Sequence, residues 1–219
     1  ITLYDGTASF VSGDTVKVVS HDKKEVLLKG KEVFINTGST PILPEVEGLK
    51  GSKHVFTSET LLQQSKLPAR LLVLGAGTIG MELATMYAGF GSKVTLLESG
   101  NRFMPKSDRD IAESMLESLK RKGIEIRLNA YALSVYDTVN GVTLTYTDSS
   151  DNTPYFLEGD ALLLATGRRP MTDDLNLHAA GIQTDAQGAV IVNGHLQTTS
   201  PHIWAIGDVK GCAVRLFIY

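Results

Sequence analysis

The residues best suited to chemistry are three glycines and an acid. Leu71 to Ala84 reads LLVLGAGTIGMELA, with Gly75, Gly77 and Gly80 in the spacing GxGxxG, and Glu98 closes the next apolar run. In a dinucleotide-binding turn the first glycine permits the tight strand-to-helix turn. The second lets the backbone approach a pyrophosphate, and the third lets the new helix pack closely on the sheet. The first turn of that helix, with Thr78 and Ile79, would offer unpaired N–H groups and the positive end of the helix dipole to an anion. Glu98, about 20 residues on, is placed to accept hydrogen bonds from an adenosine ribose and to repel a 2′-phosphate, which points to NAD(H) over NADP(H). The competing reading uses Arg102, four residues further, as a 2′-phosphate partner; otherwise Arg102 is a solvated surface residue.

Such a turn works only if the elements around it hold it. Four apolar residues precede Gly75, and Ile79, Leu83, Met86, Tyr87 and Phe90 follow at helical spacing. Lys93 to Leu97 reads as a second buried strand. A helix is expected from about Asp108 to Lys122, capped by Ser107, with Ile111, Met115, Leu116 and Leu119 on its apolar face and Gly123 ending it. Ile124 to Leu128 then makes a third strand, and this βαβαβ order specifies a right-handed parallel sheet. Ala132 to Tyr136, Val142 to Thr147 and Tyr155 to Leu157, joined by Asn-Gly and Asp-rich turns, read as an antiparallel meander over one face. Ala161 to Ala165, nearly all aliphatic, fits a central parallel strand.

Upstream, Ala8 to Val11, Thr15 to Val19, Glu25 to Leu28 and Glu32 to Ile35 read as a four-stranded antiparallel meander. Residues 37 to 57 look like a connection, followed by a short helix over Glu59 to Gln64 capped by Ser58 and closed by Pro68.

A chain of 219 residues with net charge −3 is large enough for a substantial core and carries no basic cluster for nucleic acid. It shows no membrane-length apolar run, signal peptide or lipidation motif, so a cytoplasmic location is expected. Cys212 is the single cysteine, which removes a disulfide framework, a CxxC pair and a cysteine zinc site from consideration within these residues. The sequence begins at Ile1, as a processed or truncated piece would.

An internal echo links the two ends. EVFINTGSTP (Glu32 to Pro41) and DALLLATGRRP (Asp160 to Pro170) each run an apolar strand into Thr-Gly and then proline. They are either ordinary strand exits or paired ligand-facing strand ends where only glycine tolerates close approach.

Taken in order, INTGSTP, GAGTIGMELA with Glu98, LATGRRP and TTSPHIWAIGDV resemble the flavin-dependent pyridine nucleotide-disulfide oxidoreductases, the group of lipoamide dehydrogenase, glutathione reductase and mercuric reductase. The resemblance implies an α/β, Rossmann-like FAD/NAD(P)-binding fold. It implies an NAD(P)H-binding domain over residues 43–165, with FAD-domain pieces at 1–42 and 166–219. It places Asp208 on a ribityl hydroxyl of FAD beside Gly207, groups Thr37, Gly38, Ser39 and Arg168 with the flavin, and groups Ala132 and Gly167 with the nicotinamide dinucleotide. Glu82, one turn into the glycine-loop helix, matches a glutamate near the nicotinamide and flavin rings; as a first-turn acid it would also simply complement the helix dipole. The full-length protein is expected to be a homodimer.

The sequence departs from the family at informative places. An N-terminal FAD glycine motif, the cysteine pair and the C-terminal dimerisation domain with its His-Glu pair are not found in these residues. Cys212 falls after the GDV motif, in the wrong place for a redox thiol, and the tail Ala213 to Tyr219 does not resemble the expected continuation. These residues alone are therefore expected to bind NAD(H) and to hold little FAD. Two further readings stay open: a nucleotide-binding module without turnover, and a relative of NADH oxidases or ferredoxin reductases.

Overall fold

The computed structural model describes residues 1–148 and 153–211; Cys212 and the tail from Ala213 lie outside the described residues. The chain divides into two compact units, one of residues 41–167, the other of residues 1–40 with those from Arg168 onward. No helix among the described residues is long and apolar enough to cross a membrane.

The chain opens with β1 (Thr7–Ser12), β2 (Thr15–Val19) and β3 (Glu25–Lys29), an antiparallel meander as expected. Two short strands follow, β4 (Val33–Ile35) and β5 (Ser39–Pro41).

Residues 41–167 contain β6 (Val55–Thr57), α1 (Ser58–Leu61), β7 (Arg70–Leu74), α2 (Thr78–Gly89), β8 (Lys93–Leu97), α3 (Arg109–Arg121) and β9 (Glu125–Arg127). They continue through β10 (Ala130–Thr138), β11 (Gly141–Asp148), β12 (Pro154–Gly159) and β13 (Ala161–Leu164). Five of the strands form one parallel sheet in the order β6-β13-β7-β8-β9. Their continuous apolar runs follow from burial on both faces. Leu71, Val73, Val94, Leu96 and Leu163 pack with Leu83, Ala84 and Tyr87 of α2 and Leu119 of α3. The alternate residues Leu72, Leu74, Leu97, Leu162 and Leu164 pack with Val135, Leu144 and Tyr146 of the β10-β11-β12 meander.

The chain then returns to the first unit as β14 (Arg168–Pro170) and β15 (Ile203–Ala205). β14 pairs with β5, and β15 runs parallel to β4. Phe10, Ile35, Leu177, Val190, Ile203 and Val209 belong to the core of this unit.

Five expectations need correction. β4 is not a fourth meander strand: it pairs in parallel with β15, and Ile35 is buried with Ile203 and Ala205, so tertiary packing decides its partner. The stretch 37–57 is not wholly a connection, because it contains β5 and the edge strand β6. Helix α1 is capped one residue earlier than expected: Thr57 accepts from the backbone N–H of Thr60, and the Thr60 side chain closes back on the backbone of Thr57. Helix α3 begins after Asp108, with no side-chain cap hydrogen bond. Its inward face carries Ala112, Leu116 and Leu119, while Ile111 and Met115 are exposed. Phe90, expected on the buried face of α2, lies beyond that helix and is exposed.

Candidate functional site

The C-terminal ends of four adjacent strands are stitched together. Ala165 N donates to Leu74 O, Gly75 N to Leu97 O, and Glu98 N to Arg127 O, each at 2.8 Å. The exits from β13, β7 and β8 therefore form one continuous edge, where open α/β sheets bind ligands. Gly75 sits at φ +107°, and a Cβ there would lie 2.4 Å from Ala165 O. Only glycine fits this turn. A Cβ on Gly80 would lie 2.0 Å from Gly75 O, so the third glycine lets α2 press against the turn. Gly77, the N-cap of α2, has nothing within 4 Å of its missing Cβ. It faces open space, which is the access a phosphate group requires.

Glu98 braces this turn from the next strand. One carboxylate oxygen accepts from Ala76 N and the other from Gly100 N, both at 2.9 Å. An ionised carboxylate has about four acceptor sites, so capacity remains for sugar hydroxyls. Gly75, Gly77, Glu98, Ala132 and Gly167 all line one cavity of about 520 Å³. Its remaining lining includes Pro44, Glu45, Val46, Tyr131 and Thr166, which sequence reasoning missed. No lysine or arginine is among its lining residues. Gly167, at φ +132°, is held by its carbonyl accepting from Ile42 N, and Thr166 Oγ1 donates to Ile42 O.

Other expected residues lie near this cavity without lining it. Thr78 and Ile79 begin α2; Thr78 lines an adjoining depression of about 340 Å³ with Gly77, Glu98 and Lys106, and Ile79 packs towards the core. Glu82 is exposed on α2 and lines neither space. Arg102 lines a different depression with Phe103 and Arg109, away from the glycine turn.

In the other unit the expected flavin residues form a hydrogen-bonded cluster. Arg168 Nε donates to Ser39 Oγ at 2.8 Å, Ser39 Oγ donates to Asp208 at 2.9 Å, and Arg168 also reaches Ser39 O. Thr37 Oγ1 donates to Met171 O, and Met171 N to the carbonyl of Gly38. Gly207, at φ +71°, turns the chain beside Asn36, whose Oδ1 would stand 2.8 Å from a Cβ. The two Thr-Gly-Pro segments, linked in sequence only by their echo, meet as β5 and β14. Asn36 is the neighbour that sequence reasoning did not single out.

Comparison with known proteins agrees with this architecture. Residues 1–216 match the family model described as pyridine nucleotide-disulphide oxidoreductase. The chain is 38% identical to the probable pyridine nucleotide-disulfide oxidoreductase RclA of Escherichia coli (strain K12), over 96% of this chain and 46% of that protein. It is 36% identical to a dihydrolipoyl dehydrogenase of Geobacillus stearothermophilus, over 95% and 43% of the two chains, and 37% identical to a mercuric reductase of Lysinibacillus sphaericus, over 94% and 36%. The structure of the HOCl-induced flavoprotein disulfide reductase RclA from Escherichia coli superposes with a TM-score of 0.86 at 38% identity, covering 96% of this chain and 46% of that one. The chain thus spans less than half the length of these relatives. With the family model matched from Ile1 to residue 216 and the parallel sheet and meander in place, the chain belongs to the pyridine nucleotide-disulphide oxidoreductase family.

Proposed function

We propose that this chain carries the nicotinamide-dinucleotide site and part of the flavin site of an NADH-dependent flavoprotein reductase whose final acceptor is a disulfide or a similar group. The observation that carries the reading is the cavity at the β13-β7-β8 edge, where an open glycine cradle, a helix N-terminus and the Glu98 carboxylate meet. The order of the strand ends sets the order of the ligand. The adenosine ribose meets Glu98 after β8, the pyrophosphate meets Gly75 and Gly77 after β7, and the nicotinamide meets Gly167 after β13. In the second unit Asp208 is the acceptor for a ribityl hydroxyl, held in place by Ser39, and Arg168 is held beside it. When bound, the two cofactors supply hydride transfer; the protein binds and orients them.

NADH is favoured over NADPH because the cavity presents the Glu98 and Glu45 carboxylates and no cationic side chain. Lys106, the one cation among the described residues lining the adjoining depression with Glu98 and Gly77, favours the opposite preference. Calorimetric titration with NADH and NADPH separates the two. Tighter NADH binding is expected; tighter NADPH binding would overturn this assignment and bring Lys106 forward.

A further inference from the structure

The dinucleotide cavity has a wall that the glycine turn does not explain. Beyond Glu98 the chain passes through β9 and returns as Ala130, Tyr131 and Ala132, tied to the Glu98 strand end by Ala130 N donating to Glu98 O at 2.9 Å and Asn129 N donating to Gly100 O at 3.1 Å. These residues therefore stand on the Glu98 side of the cavity, at the opposite end from Ala165 to Gly167. Facing them is the segment Pro44 to Val46, which runs into a parallel bridge between Glu47 and Ser134. Between the two segments lies a slot lined by Pro44, Val46, Tyr131 and Ala132.

Tyr131 is the odd member of that wall. It is a large aromatic at 52% exposure, set between two alanines of which one is fully buried. Its cross-strand partner is Thr147, and the one stacked tyrosine pair nearby joins Tyr146 and Tyr155 without it. Leaving such a ring half in water forgoes apolar burial that a neighbouring planar group would recover.

We infer that Tyr131 is the adenine platform of this site, covering the purine of the dinucleotide while Glu98 takes its ribose. The inference rests on the dinucleotide reading above and adds a specificity element to it. An aromatic face against a base contributes through stacking whatever the base's hydrogen-bonding edge, with a typical loss of about tenfold in affinity when the ring is removed. The site therefore selects for a purine nucleotide end, and a mononucleotide without that end gains nothing from Tyr131.

The test uses the 219-residue chain, its Tyr131→Ala and Tyr131→Phe variants, and three probes: NADH, AMP and reduced nicotinamide mononucleotide. Because Tyr131 is half exposed, both variants are expected to fold, and a thermal melt of each verifies this. The expected result is about tenfold weaker NADH and AMP binding in Tyr131→Ala, near-parental binding in Tyr131→Phe, and unchanged binding of the nicotinamide mononucleotide. If parental protein binds NADH but Tyr131→Ala changes AMP and NADH by less than twofold, the platform is refuted and the dinucleotide site stands. Equal weakening of AMP and the nicotinamide mononucleotide, or a Tyr131→Phe variant as weak as the alanine, also refutes it. Parental protein that fails to bind NADH refutes the dinucleotide reading and the platform together.

Discussion

At the scale of single residues, the three glycines of the turn are unequal, and their inequality is measurable. A methyl group at Gly77 meets open space, whereas one at Gly80 would sit 2.0 Å from the Gly75 carbonyl and 3.2 Å from Ala165 Cβ. Gly77→Ala is expected to keep its thermal midpoint within a few degrees and to lose NADH affinity by tenfold or more, because the methyl occupies the phosphate approach. Gly80→Ala must push α2 off the sheet and is expected to cost about 2–4 kcal/mol, read by chemical denaturation. Glu98 combines both kinds of role. Glu98→Gln places an amide against one of two backbone N–H donors and removes the charge that opposes a 2′-phosphate. A loss of about 1–2 kcal/mol in stability and a narrowed NADH-over-NADPH preference are expected from parallel denaturation and titration. The spacing of glycines and acid made this part of the site legible in the sequence. Tyr131, Val46 and Glu45 were not legible, because their place beside Glu98 depends on a strand pairing some 85 residues apart, Glu47 with Ser134.

At the scale of elements, helix α3 shows where periodicity misleads. Ile111, Met115 and Leu119 are spaced as one helical stripe, yet the helix is rotated so that Ala112, Leu116 and Leu119 face the sheet. The small Ala112 lets the helix lie close, and hydrophobicity alone does not reveal which edge of a broad apolar stripe is buried. Ile111→Lys is therefore expected to change stability by less than about 0.5 kcal/mol, while Leu119→Ala costs about 2–5 kcal/mol; urea denaturation of both variants decides the orientation. The start of β7 makes a second element-level case. Arg70 N donates to Asp160 Oδ2 at 2.9 Å, its guanidinium meets Asp160 Oδ1 at 3.1 Å, and Asp160 N returns a bond to Arg70 O. Partial burial pushes the Asp160 carboxyl up, but its bonds to Arg70 outweigh this and hold it below the ordinary value. Its contribution is thus fully present above the unfolded carboxyl value near pH 4 and is lost as pH falls through the lower folded value. In Asp160→Asn the melting temperature is expected to fall by a few degrees at neutral pH and to decline less steeply than the parent's below about pH 4.

At the scale of the whole molecule, each unit completes its own set of candidate site residues from distant sequence. The echo EVFINTGSTP and DALLLATGRRP pointed to paired strand ends, and the pairing of β5 with β14 joins their exits. The strand that follows the same logic, β15, was legible only as the approach to Asp208, because Ile203 to Ala205 is too short for periodicity to distinguish and its partner β4 is about 170 residues away. The consequence is separability. Every residue lining the dinucleotide cavity lies within 41–167, and the Arg168, Ser39 and Asp208 cluster lies wholly in the other unit. Asp208→Asn weakens a charge-assisted bond from Ser39 and is expected to lower the stability of its own unit by about 1 kcal/mol. Its hydrogen-bonded neighbours Ser39 and Arg168 are not among the residues lining the cavity, and sites without shared partners behave independently. NADH affinity of Asp208→Asn is accordingly expected to stay within twofold of the parent, while Gly77→Ala abolishes most of it, and the Asp208→Asn, Gly77→Ala double variant should show the sum of the two stability changes. A shift in NADH affinity of more than twofold on altering Asp208 alone would overturn that independence.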